Sequence, residues 1–510
     1  MQKTNIQLGK TILISGVAVV ISYLINFFLT SYITESVGIE AYGFVSIART
    51  FVNYATIVTL ALTAFIVRHI SVSYLAGEFN ESRSYYSSSI AACSVISAII
   101  LVFFIVIVFF LEYLINIPEN LVLAVKILFI VVVINFCVTT ISTPFSAAAY
   151  IKNRLDIAGI IKIISYLFDA GVMILMFMNL TPEVWYVGIG SLCASSVVMI
   201  GNVIMTKKLT PELKFRLNSV SLKKIKTMSG QGVWNSLNQL GNELNSGLDL
   251  LVSNWFLSDI ATGQISVVKT IGAMFSTLSA TVWQPCQPQL IKAYTSQRTE
   301  DFLHEVKKSM KVCGFFTAIA FAGFTALGQL YFKLWLPSQD SVYLYILAMV
   351  AIANQITEGL LKPVYYINTL TIKNKIPCII TIVSGVLNIV SMIILLNYTV
   401  LGAFVVVGTT SAIMLLINLL FNPIYAAKCL KIKMSFFYKI IIRHFLATGI
   451  LICVFLLIAL IPVPENWLGL FISAMIMVIV GTPIYILATN NQQELKEFLL
   501  KIKNKLSNRK

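Results

Sequence analysis

Apolar residues in this chain come in unbroken runs of about twenty, not in short alternating segments. Fourteen runs can be placed, at 11–33, 42–66, 88–111, 121–143, 157–179, 184–206, 230–256, 263–284, 312–332, 343–366, 377–397, 401–423, 438–461 and 467–489. Polar and turn residues break them, as at Thr34–Glu35, Pro118–Glu119–Asn120, Thr181–Pro182–Glu183 and Pro462–Val463–Pro464–Glu465. A helix of about twenty apolar residues crosses a hydrocarbon core of about 30 Å, so each run predicts a transmembrane helix. A membrane β-barrel needs alternating segments of about ten residues, which the pattern excludes. The first run is long, and no small-residue cleavage site follows it at Ser31–Tyr32–Ile33–Thr34, so it reads as an uncleaved span.

The pattern also repeats. At an offset of 220, Tyr42-Gly-Phe-Val-Ser-Ile-Ala-Arg-Thr-Phe51 lies over Thr262-Gly-Gln-Ile-Ser-Val-Val-Lys-Thr-Ile271, pairing Gly43 with Gly263, Ser46 with Ser266, and Thr50 with Thr270. Arg49 pairs with Lys269. Pro144 and Pro363 each end a span, Ile151-Lys-Asn153 and Ile372-Lys-Asn374 follow, and Asp169 lies over Asn388. Spans 1–6 and 7–12 therefore read as two copies of one unit. Six is even, so both copies enter from the same side, which makes a parallel repeat about an axis along the membrane normal. The expected organisation is an N-terminal six-helix lobe at 1–206, a basic linker at 207–229, a C-terminal six-helix lobe at 230–427, extra helices 13 and 14 at 428–489, and a basic tail at 490–510. The fold class is all-α and polytopic, with about fourteen transmembrane helices.

Composition agrees with a membrane protein: 58% of the 510 residues are hydrophobic and 11% charged, against about 25% charged in soluble domains. Basic residues then set the orientation. The N-terminus, the even-numbered loops and the C-terminal tail hold thirty of them, seven in the sixth loop alone. The odd-numbered loops hold one, Lys333. Both termini are therefore expected in the cytoplasm. The net charge of +16 is mostly loop charge facing anionic headgroups of the bilayer and calls for no nucleic acid. The tail can form a basic surface helix with Leu495, Phe498, Leu499, Ile502 and Leu506 on one side.

Charges inside spans are costly and usually face a cavity, pair, or reach the interface. Lys126, Lys162, Lys362 and Arg443 lie near span ends, where their stems can snorkel. Lys362 has Glu358 one turn before it, a neighbour that can pair. Arg49 and Lys269 lie deeper, about 10 Å inward at 1.5 Å per residue. Being related by the repeat, they are expected to face each other across a cavity, where two cations suit an anion such as a diphosphate. A structural ion pair is the plainer reading. Span 7 is unusually polar, with Gln231, Asn235, Ser236, Asn238, Gln239, Asn242, Glu243, Asn245, Ser246 and Asp249. Helical spacing puts Asn235, Asn238, Gln239, Asn242 and Asn245 on one face, read as a cavity wall for sugar hydroxyls. Interhelical hydrogen bonding is the alternative. Asp169, Glu243 and Asp249 are candidate coupling carboxylates, since burial can raise a carboxyl pKa enough to carry a proton.

The eight cysteines show no CxxC spacing and the three histidines, His69, His304 and His444, are scattered. No metal site, cofactor or catalytic triad is expected.

The short turn Val37-Gly-Ile-Glu-Ala-Tyr-Gly-Phe44, Arg68 closing span 2, and span 7 with Trp234 and Leu250-Leu251 resemble the bacterial polysaccharide repeat-unit flippases. These Wzx-type proteins of O-antigen, lipopolysaccharide and capsule synthesis belong to the multidrug/oligosaccharidyl-lipid/polysaccharide exporter superfamily. The likeness covers roughly residues 10–430. It implies a V-shaped, MATE-like transporter of the bacterial plasma membrane. Its cargo would be an undecaprenyl-diphosphate-linked oligosaccharide, moved from the inner to the outer leaflet by alternating access. An H+ or Na+ gradient would drive it, and polysaccharide polymerases are candidate partners. A multidrug or cation antiporter of the same superfamily and a lipid-linked peptidoglycan-precursor flippase are the alternatives. A membrane glycosyltransferase or polymerase would call for a large outside loop, and the outside loops here have about ten residues or fewer.

Overall fold

A computed structural model describes the backbone of residues 2–295, 298–371 and 373–490. Within them, the side chains of 2–13, 15, 16, 19, 231, 233–235, 288 and 295 lie outside the description, as does the expected basic helix of the tail. Helix is the regular structure of the described residues. In chain order the helices are α1 (Gln2–Val37), α2 (Ile39–Thr63), α3 (Ile66–Leu75), α4 (Phe79–Phe109), α5 (Leu111–Leu114), α6 (Val122–Ser142), α7 (Ala147–Ile151), α8 (Leu155–Asn179), α9 (Tyr186–Leu209), α10 (Leu222–Ser246), α11 (Asp249–Phe256) and α12 (Asp259–Trp283). Then follow α13 (Gln287–Thr295), α14 (Thr299–Trp335), α15 (Ser341–Ala351), α16 (Gln355–Leu370), α17 (Lys375–Tyr398), α18 (Ala403–Leu416), α19 (Asn422–Leu430), α20 (Ser435–Ala459) and α21 (Trp467–Thr489).

Thirteen helical stretches among the described residues are long and apolar enough to cross a membrane. Their outward faces carry large apolar side chains. On α4, Ile99, Val102, Phe103, Val106 and Phe109 all stand exposed. A continuous apolar face of this kind is foreign to a water-exposed surface and normal against lipid. The chain is a multi-pass membrane protein. The remaining expected span, 230–256, folds as α10 and α11. Its amides and carboxylates make it too polar to count by composition, although it is helical throughout except at Gly247–Leu248.

The chain forms two compact units. Unit 1 holds Met1–Ser266 with Thr381–Ile389, and unit 2 holds Val267–Ile380 with Val390–Lys510. The division therefore falls inside α12 and takes the middle of α17 into unit 1, whereas the sequence suggested a joint at 207–229. The physical reason lies in that linker and in α10. The linker is hydrogen bonded to α3 and α4: Tyr74 Oη donates to Glu212 Oε2 at 2.6 Å, Arg83 Nε to the Glu212 carbonyl at 3.0 Å, and Ser84 Oγ to the Ser219 carbonyl at 2.9 Å. The Arg216 and Ser221 amides donate to Ser87 and Ser88 Oγ, and Lys224 pairs with Glu81. The hydrogen bond from Tyr74 holds the Glu212 carboxyl below its ordinary range. After the linker, α10 packs along α2 and α4.

In unit 1, α6 packs against α4 and α9, and α8 against α1 and α9. Gly43 of α2 and Gly263 of α12, paired by the repeat, meet here: a Cβ on Gly43 would lie 3.1 Å from the Gly263 nitrogen. A Cβ on Gly263 would lie 2.2 Å from the Ile39 carbonyl oxygen, so the close approach of α2 and α12 needs glycine there. In unit 2, α14 is the spine. Its residues Phe302, Val306, Met310 and Cys313 pack with Leu360, Leu361 and Val364 of α16 and with Phe437 and Ile441 of α20. Further along, Ala318 and Ala322 meet Leu451 and Phe455 of α20 and Met477 of α21.

Candidate functional site

The residues singled out in the sequence fall mostly in unit 1, around α2. Arg49 is exposed on α2, inside a span. Asp169 on α8 lies within its electrostatic reach. Asp169 sits where α9 passes with Gly190, whose missing side chain leaves room for the carboxylate. Its Oδ1 is buried and accepts no hydrogen bond among the described residues. A carboxylate oxygen withdrawn from water without a donor is costly, and such strain is typical of a group kept for function.

One and a half turns further along α2, the Tyr54 hydroxyl is buried with no hydrogen-bond partner among the described residues. It feels both Glu243 of α10 and Asp249 of α11 electrostatically. Both carboxylates are buried. Glu243 Oε1 accepts a hydrogen bond of 2.7 Å from Gln239 Nε2 one turn earlier. Gly247 makes space for the Glu243 carboxylate and marks the end of α10. Asp249 then opens α11, where a negative charge complements the exposed N–H groups of a helix start. Periodicity could not have singled out Tyr54, a lone tyrosine within an apolar run. Its signal is the buried hydroxyl itself.

The polar face expected on span 7 divides in two. Asn238, Asn242 and Ser246 are exposed and stand one turn apart. Asn245 is buried and ties α10 to the 381–389 segment of α17. Its Nδ2 donates to the Thr381 carbonyl at 2.7 Å, its Oδ1 accepts from Ser384 Oγ at 3.1 Å, and its carbonyl accepts from Asn388 Nδ2 at 2.8 Å. Asn245 thus serves as interhelical glue, while Asn238 and Asn242 remain open to a ligand. The side chain of Asn235 lies outside the described residues. Lys269 is half-buried on α12 in unit 2. Lys362 and Glu358 form the expected pair at 2.7 Å, and Lys126 pairs with Glu112. Among the described residues no group of three or more His, Cys, Asp or Glu is arranged to hold a metal.

What this site belongs to follows from comparison with known proteins. Residues 8–290 match the family model described as polysaccharide biosynthesis protein. The chain belongs to that family. The match contains the Val37–Phe44 turn and span 7, the residues that carried the resemblance, and it covers all of α1 to α12 except the first turn and a half of α1. A relative in this setting is the uncharacterized membrane protein EpsK of Bacillus subtilis (strain 168), 26% identical over 425 residues, which cover 83% of this chain and 84% of that one. Two solved structures are similar in fold. The lipid II flippase MurJ in an inward closed conformation superimposes with a TM-score of 0.65 at 15% identity, over 93% of this chain and 99% of its own. An inward-facing multidrug resistance MATE family transporter of the MOP superfamily gives 0.63 at 12%, over 82% and 99%. At such identities the likeness establishes the fold, which is the one expected from the sequence for this polysaccharide biosynthesis protein.

Proposed function

We propose that this protein moves an undecaprenyl-diphosphate-linked oligosaccharide from the inner to the outer leaflet of the bacterial plasma membrane by alternating access. Both termini are cytoplasmic in this reading, and polysaccharide polymerases act on the delivered repeat unit, whether for capsule, O-antigen or another surface glycan. Family membership supports the polysaccharide setting. The observation that carries the cargo chemistry is Arg49, an exposed guanidinium and the one charged side chain of the span 42–66. A guanidinium binds phosphate oxygens bidentately and does so best away from bulk water. Lys269, its counterpart in the repeat, is a second candidate cation for anionic cargo, and Asn238 and Asn242 offer amides to the sugar. Asp169 is the coupling carboxylate. Its Oδ1 has no hydrogen-bond donor among the described residues, whereas Glu243 is already bonded to Gln239.

The test is export of surface glycan in cells whose own repeat-unit flippase is deleted. Arg49→Ala and Lys269→Ala are each expected to cut export at least about tenfold, the equivalent of roughly 1.4 kcal/mol, at unchanged protein level. Arg49→Lys, which keeps the charge and loses the fork, falls in between. Normal export by both alanine variants overturns the reading.

The buried carboxylates near Tyr54 favour a second reading, a multidrug or cation antiporter. Purified protein in proteoliposomes separates the two. Gradient-driven uptake of an organic cation, blocked by Glu243→Gln, with no movement of a polyprenyl-diphosphate sugar, would favour the antiporter. Rescue of cells lacking lipid II flippase activity would point instead to a peptidoglycan precursor as cargo.

A further inference from the structure

The basic linker at 207–229 is a motif that the transport reading does not use. It lies wholly in unit 1. After Glu212, which accepts the hydrogen bond from Tyr74, the residues up to Gly230 include no aspartate or glutamate. Lys214, Arg216, Lys223 and Lys226 stand exposed there, and among the described residues none of the four is in an ion pair.

Large apolar side chains alternate with these cations, and the fold leaves them uncovered. Phe215 is 46% exposed, Leu217 76% and Leu222 82%. The backbone at Arg216 is extended, so Phe215 and Leu217 point to one side of the chain and Arg216 to the other. Leu222 and Lys226 share a face of the first turns of α10. A single exposed leucine is ordinary on a protein surface. Here three large apolar residues fall within eight positions, each beside a cation. That pattern suits a segment lying in a membrane interface, with cations on anionic headgroups and apolar tips among the acyl chains.

The segment is also held firmly and at a definite depth. The Arg216 amide donates to Ser87 Oγ at 3.1 Å and the Ser221 amide to Ser88 Oγ at 2.9 Å, so both ends of the stretch between them are clamped on α4. Ser84 Oγ donates to the Ser219 carbonyl within it at 2.9 Å. The helix α4 itself marks the hydrocarbon core. Large apolar side chains are exposed along it from Val95 to Phe109, Phe110 is exposed just beyond, and the charged Glu112 follows. A core of about 30 Å takes about 20 residues at 1.5 Å each, so counted back from Phe110 it begins at about residue 90. Ser87 and Ser88 then lie within about 5 Å outside it, and headgroups extend the bilayer by about 5–7 Å on each side. The clamp therefore holds Leu217 and its neighbours at headgroup depth.

We propose that the linker is an interfacial anchor. Phe215, Leu217 and Leu222 enter the headgroup–acyl boundary of the leaflet on the basic-loop side, and Lys214, Arg216, Lys223 and Lys226 bind anionic phospholipid there. The anchor is independent of the transported cargo. Through the hydrogen bonds to α4, anionic lipid holds unit 1 at that leaflet.

The full chain in nanodiscs tests this. Leu217→Cys, in a protein whose eight native cysteines are replaced by serine or alanine, takes a nitroxide label. Collisions of the label with oxygen report lipid, and collisions with a water-soluble nickel chelate report water. The oxygen-to-nickel ratio is expected to be at least about threefold higher in phosphatidylglycerol than in phosphatidylcholine of matched chains. Changing Lys214, Arg216, Lys223 and Lys226 together to glutamine removes that difference. Changing Lys373, Lys375, Lys428 and Lys433 to glutamine, which takes the same charge from exposed positions in unit 2, preserves it. Amide exchange over residues 213–222 gives a second readout that needs no label. It is slower in phosphatidylglycerol than in phosphatidylcholine for the native sequence, and Leu217→Ser with Leu222→Ser abolishes the contrast. A label that stays in water in both bilayers overturns the proposal and leaves the patch to a protein partner. Equal insertion in both lipids overturns the role of the four cations, and equal loss in the unit 2 control reduces the effect to net charge and overturns the assignment to the linker.

Discussion

Asp169 and Asn388 hold equivalent places in the two copies of the repeat, and the chain treats them in opposite ways. Asn388 is buried on α17 and spends its amide on the Asn245 carbonyl of α10 at 2.8 Å. Asp169, midway along α8, has a buried oxygen with no donor among the described residues and the Arg49 charge within reach. The two side chains differ by one atom. An amide can donate and so can fasten two helices together. A carboxylate in the same kind of position cannot donate while ionised, and it stays costly until something neutralises or binds it. Duplication supplied one position twice. The second copy uses it for cohesion, and the first keeps a charge there, as the coupling role proposed for Asp169 requires.

The strongest way to break this comparison is to force the second copy to resemble the first. Asn388→Asp removes the donor and sets a carboxylate oxygen against the Asn245 carbonyl. A buried charge without a partner costs about 3 kcal/mol or more. The thermal midpoint in detergent should fall by several degrees, with loss of folded protein in the membrane. An unchanged melting curve would mean that the hydrogen bond to Asn245 is not what holds α17 to α10. Asn388→Leu, which also loses the bond but adds no charge, should lie between this variant and wild type, at about 1–3 kcal/mol.

The reverse exchange, Asp169→Asn, should do little to stability, since it replaces an oxygen that no donor among the described residues reaches. Its effect belongs to transport. If Asp169 couples movement to an ion, the amide variant loses its response to an imposed gradient in proteoliposomes, and export falls about tenfold, which corresponds to roughly 1.4 kcal/mol. Full gradient dependence in a folded Asp169→Asn protein would move the coupling role to Glu243 or Asp249. Tyr54→Phe then sharpens the choice. It removes the hydroxyl that faces those two carboxylates, and a changed gradient response would locate coupling there.

Much of this contrast was legible in the sequence, and the limits have physical causes. Runs of twenty apolar residues and their charged breaks place the spans, because lipid leaves the backbone no choice but helix. The offset of 220 pairs Gly43 with Gly263, and the two glycines turn out to touch. Helical spacing showed that span 7 is polar. It could not show that Asn245 faces α17, because Thr381, Ser384 and Asn388 lie more than 130 residues further along the chain. One polar stripe therefore read as one cavity wall, whereas the fold divides it between an exposed edge and a hydrogen-bonded seam. The same long-range seam draws the middle of α17 into unit 1, and hydrogen bonds from α3 and α4 fasten the basic linker. Tyr54 left no periodic trace at all.

The finest test asks whether that division of α10 is real. Asn238 and Asn242 are exposed, and among the described residues neither side chain bridges to another helix in the way that Asn245 does. Replacing both by alanine should shift stability by no more than about 0.5 kcal/mol, as for surface positions in general, and alanine also favours helix slightly over asparagine. Asn245→Ala should cost about 1–3 kcal/mol, because it removes both side-chain hydrogen bonds that cross from α10 to Thr381 and Ser384 and leaves those two bonded only to each other. If the exposed pair lines the path of a sugar, the Asn238→Ala, Asn242→Ala double variant should lower export about threefold when cargo is scarce and recover when cargo is abundant. That is the behaviour of lost ground-state binding rather than lost turnover. A double variant as unstable as Asn245→Ala would show that α10 is glued along its whole polar surface, and the exposed edge would then have no claim to be a cavity wall.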